Sequence, residues 1–188
     1  MEYVDGIRYY KYENPEIDLF FKYPINWKLF EVINHFSHKD RVISFEIQNS
    51  ELDDINNSKH TKKNSGSPYS GFPAVVNIWL YESKNKNISI TELTKIKIQD
   101  LKNLFNDYDF NILKNEITAP NENIRILILQ YSIGPYFSGK LLKDMRLTLD
   151  ILIPRGDKVY EIEYIALQED YSKNLKDVID FIDSIRIS

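Results

Sequence analysis

Three acidic residues, Asp150, Glu161 and Glu163, fall on two neighbouring β-branched and aromatic segments, 145–153 and 158–166, joined by Pro154-Arg155-Gly156-Asp157. A hairpin of those segments projects all three carboxylates from one face. Clustered carboxylates can hold a hard cation such as calcium or serve acid–base chemistry. The ordinary alternative is a solvated sheet face. With Ile153 paired to Lys158, Leu147, Leu149 and Ile151 stand against Tyr164, Ile162 and Tyr160 on the buried face, and Arg146 lies diagonal to Glu163, where it neutralises part of the cluster.

A second constellation, Gly134-Pro135-Tyr136-Phe137-Ser138-Gly139-Lys140, satisfies the spacing of a phosphate-binding loop. Two features oppose that chemistry. Leu141 follows where magnesium binding needs a hydroxyl, and the next segment alternates like a strand where a phosphate needs a helix N-terminus. The segment is expected to be a glycine-punctuated β-connection.

His35 and His38 are close enough to share a metal across a turn, with His60 distant, but no cysteine or nearby acid completes a ligand set. Surface histidines are the expectation. Lys59-His60-Thr61-Lys62-Lys63 is a small basic run that reads as loop sequence, although such a run can meet an anionic surface. Asn56-Asn57-Ser58 and Asn87-Ile88-Ser89 have the form of glycosylation sequons. Serines are numerous, yet none sits in a G-x-S-x-G elbow. No motif calls for a cofactor.

The chain must position these residues with an apolar core alone, because 188 residues carry no cysteine while 43% are hydrophobic. Lysines and arginines number 24 against 28 acids, a net charge of -4, which disfavours nucleic acid as a partner. No apolar run reaches transmembrane length. Met1-Glu2-Tyr3-Val4-Asp5-Gly6 lacks the basic and apolar regions of a secretory signal, so the chain as given is expected in the cytoplasm. A removed leader would instead make it extracytoplasmic or membrane-anchored.

Strands are predicted at about 17–23, 27–34, 41–48 and 74–81, and again over 110–117 and 124–133, followed by the hairpin. A polar stretch over about 49–71 reads as a long loop. Ser89 with Glu92 forms a capping box that opens a helix over about 90–106 on an apolar stripe including Leu93, Leu101, Leu104 and Phe105. Tyr171, Leu175, Val178, Ile179, Ile182 and Ile185 mark a terminal amphipathic helix. Strands first, one helix in the middle and one at the end make a single α+β domain over 1–188.

Phe20-Phe21-Lys22-Tyr23-Pro24-Ile25-Asn26-Trp27 resembles the early aromatic-x-Tyr-Pro-x-x-Trp segment of PsbP-like domains. The run 159–166, then Tyr171-Ser172-Lys173 and Ile182-Asp183-Ser184-Ile185, is similar to that family's last strand and terminal helix. The resemblance spans roughly 10–187. It implies a twisted antiparallel sheet flanked by helices, a fold shared by an extrinsic photosystem II subunit and a small Ran-binding protein, both non-catalytic binders. These matches are packing residues, so no functional residue is carried over and no role in photosynthesis is implied. The polar loop before Phe72 departs from the family pattern.

The expected function is a non-enzymatic binding or accessory domain that holds a protein partner through an aromatic-rich surface, since 13 tyrosines accompany no catalytic constellation. The alternative is a small-molecule or cation-binding domain, an enzyme included, organised around Asp150, Glu161 and Glu163.

Overall fold

A computed structural model describes residues 2–4, 7–36, 39–47, 74–82, 88–105, 110–121, 124–133, 136–137, 140–141 and 146–187. Strands β1 (Glu2–Val4), β2 (Ile7–Asn14) and β3 (Leu19–Pro24) form a small antiparallel sheet with the terminal strand β13 (Arg186–Ile187). Between β2 and β3 a 3-10 turn, Pro15–Ile17, opens on Asn14, whose side chain accepts from the Glu16 amide, and closes on Asp18 at φ 52. The strand predicted from 17 therefore begins two residues later.

The large sheet contains β4 (Trp27–Phe36), β5 (Lys39–Ile47), β6 (Ala74–Glu82), β7 (Phe110–Asn121), β8 (Ile124–Ile133), β11 (Arg146–Arg155) and β12 (Lys158–Leu167). Its order is β4-β5-β6-β12-β11-β8-β7, and every pairing is antiparallel. The expected α+β fold with an antiparallel sheet is what forms. The polar stretch 49–71, with Lys59 to Lys63, His60 and Asn56, lies outside the described residues, as do His38 and Asn87.

Helix α1 (Ile90–Leu104) starts where its capping box predicts, with the Ser89 hydroxyl accepting from the Glu92 amide at 3.1 Å. Helix α2 (Gln168–Ser184) has no side-chain cap, but Glu169 and Asp170 place negative charge at its positive end. It buries Tyr171, Val178 and Phe181 against one face of the large sheet together with β3. Phe181 meets Phe21, Trp27 and Phe45 at ring separations of 5.2, 5.3 and 5.6 Å. On the opposite face α1 covers Leu127, Leu129, Leu152 and Val159 in a second core.

The final hairpin differs from its prediction in register. Arg155 pairs with Lys158, which puts Ile153 opposite Tyr160, Ile151 opposite Ile162 and Leu149 opposite Tyr164. The shift is two residues, so each side chain keeps its face. Its cause is a two-residue loop in place of a four-residue turn: Gly156 has φ 60 and Asp157 does not share it, the requirement of a II′ hairpin turn. Pro154 consequently joins the ladder opposite Val159.

Candidate functional site

Residues directly opposite on neighbouring strands share a face. The registers therefore run one row across all seven strands: Phe30, Ser44, Asn77, Glu163, Asp150, Leu129 and Asn115. Glu161 stands in the adjacent row between Trp79 and Leu152. The new register places Asp150 beside Glu163, and one oxygen from each of Asp150, Glu161 and Glu163 lies within 4.8 Å of the other two.

This face is not a solvated one. Asp150 is 0% and Glu161 1% exposed, beneath the side of the sheet that carries α1. Arg146, four residues from Asp150 and opposite Leu167, is not the diagonal neighbour of Glu163. The counter-charge comes from Lys97 of α1, whose Nζ lies 2.9 Å from Asp150 Oδ2 and 2.9 Å from Glu161 Oε1. Its signal in the sequence was position. Residue 97 completes the stripe of Ile90, Leu93, Thr94 and Leu101, the buried side of α1, so a lysine there faces the sheet.

Burial opposes charge on Lys97, but the carboxylates of Asp150 and Glu161 outweigh it and hold the ammonium well above the ordinary lysine range. Burial pushes Asp150 the other way, up to about 7, with Lys97 opposing and Glu161 and Glu163 adding to the rise. Two tyrosines nearby stay protonated far above their usual range, Tyr81 by burial and Glu161, Tyr131 by burial and Asp150.

Glu163 is held differently. Its Oε2 accepts from Asn77 Nδ2 at 3.0 Å and from Trp79 Nε1 at 3.1 Å, and Asn77 Oδ1 accepts from the Ser44 hydroxyl at 2.8 Å. A polar relay thus crosses β5, β6 and β12 and meets the ion pairs at β11. Among the described residues, Asp150 Oδ1 and, two positions back on the same face, Thr148 Oγ1 are buried without a hydrogen-bond partner.

The other predicted constellations resolve more simply. Phe137 pairs with Lys140 and Tyr136 with Leu141 in a short antiparallel ladder, β9 (Tyr136–Phe137) with β10 (Lys140–Leu141), so a strand stands where a phosphate loop needs a helix. His35 lies in β4, its backbone opposite Asp40. The aromatic residues expected on a binding surface are mostly interior: Phe21, Phe45, Tyr160, Tyr164 and Phe181 are fully buried. Tyr10 and Phe30 are exposed, and Trp79 is half-buried on the part of the α1 face formed by β4 to β6.

No family model and no curated protein matches this sequence. Solved structures do match in three dimensions. A PsbP from the cyanobacterium Synechocystis superposes with a TM-score of 0.62 at 11% identity, over 96% of this chain and 92% of that one. The Ran-binding protein Mog1p of Saccharomyces cerevisiae gives 0.55 at 8% identity over 96% of each chain. LpqN of Mycobacterium tuberculosis, described as involved in cell envelope biogenesis, gives 0.55 at 11% identity over 98% and 92%. The chain therefore has the PsbP-like α+β fold.

Proposed function

We propose that this chain is a non-catalytic accessory domain that holds a protein partner. The observation that carries this reading is the state of the acidic trio: two of its three carboxylates are buried and ion-paired to Lys97, the reverse of an open acid–base pair that a substrate can reach. A fold neighbour named for Ran binding supports it by analogy. The surface best suited to a partner is the α1 face of β4 to β6, where exposed Phe30, with Lys28 Nζ 4.8 Å from its ring centre, stands opposite half-buried Ser44 and half-buried Trp79 lies farther across the same face on β6. Aromatic groups beside hydrogen-bonding ones are the make-up of interface cores.

Affinity capture from cells of the source organism, with the intact chain and with Phe30→Ala, tests the reading. A partner retained by the first and lost from the second is expected. A purified chain that turns over a substrate would overturn it.

A second reading, a hard-cation site at Asp150, Glu161 and Glu163, has its own support in the partnerless Asp150 Oδ1. Lys97 stands against it, because its ammonium already occupies the position between two of the three acids. Calorimetry with calcium, manganese and zinc separates the two readings.

A further inference from the structure

Among the described residues strand β7 ends the large sheet, pairing with β8 alone. Every side chain from Asn111 to Ile117 is exposed, including Leu113 at 54% and Ile117 at 44%. An edge of this kind is a template for another strand, and proteins usually blunt it with charge or a bulge. Here a bulge falls between Ile112 and Lys114, and Lys114 pairs with Glu116 on the α2 face at 2.6 Å. Asn115 and Ile117 share the other face, opposite Leu129 and Leu127.

We infer that β7 is a self-pairing edge whose occupant is β7 of a second copy of this chain. A two-fold axis through Asn115 sets Lys114 opposite Glu116 of the second copy, and Glu116 opposite Lys114 of the second copy. On the α1 face Leu113 then meets Ile117 of the second copy, and the two Asn115 amides face each other. Opposite charges and apolar side chains are the favourable cross-strand pairs. Slipping the register by two residues either way puts Lys114 against Lys114 or Glu116 against Glu116, so charge selects the one arrangement. The closed two-fold contact also removes both exposed edges at once. This proposal does not rest on the accessory-domain reading, since a self-pairing edge is compatible with any activity.

Sedimentation velocity of the full chain from about 1 to 200 µM, the range in which a small interface dissociates, tests it. The wild type is expected to shift from monomer to dimer with concentration. Lys114→Glu and Glu116→Lys each place like charges opposite and are expected to raise the dissociation constant at least tenfold. The combined K114E/E116K exchange restores opposite charges and is expected to restore the dimer. A wild type that stays monomeric throughout overturns the proposal. So does a dimer that neither single substitution weakens, because its contact would lie elsewhere.

Discussion

The ammonium of Lys97 reaches from α1 to within 2.9 Å of the Asp150 carboxylate, a group with no exposure to solvent at the centre of the large sheet. The contact fastens the middle helix to the final hairpin through charge, inside a second core that includes Leu93 and Leu101 of the helix and Leu127, Leu129, Leu152 and Val159 of the sheet. Breaking such a pair from one side leaves the other charge buried and uncompensated.

Lys97→Met is accordingly expected to destabilise the fold by about 3–5 kcal/mol in urea unfolding. The loss is coupled. Asp150→Leu removes the group that Lys97 neutralises, so K97M/D150L is expected to lose less than the sum of the single changes by about 0.5–3 kcal/mol. Strict additivity would show that the two groups do not interact.

Asp150 also gives a pH dependence with a definite sign. Its carboxyl is raised from 3.8 to about 7 by burial, so between those values the folded chain retains a proton that the unfolded chain has released. That contribution therefore falls as pH rises from about 4 to about 7 and is constant above. Asp150→Asn removes it, and the stability of the variant relative to the wild type is expected to rise over the same interval. Thermal unfolding of both proteins across the interval reads the difference. A constant difference would contradict the assignment.

Phe181 anchors α2 to the first core, in ring contact with Phe21, Trp27 and Phe45. Truncation to alanine removes a fully buried ring that three fixed elements cannot close upon. A loss of about 3–5 kcal/mol is expected in chemical denaturation. A loss under about 1 kcal/mol would mean that the cluster is not packed as described.

Gly156→Ala isolates backbone conformation from packing, because an added methyl group meets nothing within 4 Å while φ stays at 60. The substitution is expected to cost about 1–3 kcal/mol through strain alone. An unchanged melting temperature would indicate that the hairpin turn rearranges without cost.

What the sequence made legible follows from how local each signal is. Ser89 and Glu92 are three residues apart, and the helix they announce begins at Ile90. The sides of Leu149, Ile151 and Ile162 follow from strand alternation and survive the two-residue register shift, since a period of two returns each residue to its face. The register itself depended on one glycine taking a positive φ, which Pro154-Arg155-Gly156-Asp157 did not specify. Lys97 and Asp150 are 53 positions apart, and only the packing of α1 on the sheet joins them. The same distance turned an apparently solvated acidic face into a buried one.

Terbium titration tests the closed state of the acidic trio most directly, because the indole of Trp79 donates to Glu163 at 3.1 Å and an ion held there would be sensitised by it. With Lys97 as the resident counter-charge, the wild-type chain is expected to give no saturable terbium emission. A saturable one-to-one signal in the wild type that Asp150→Asn abolishes would contradict the locked cluster and establish a cation site in its place.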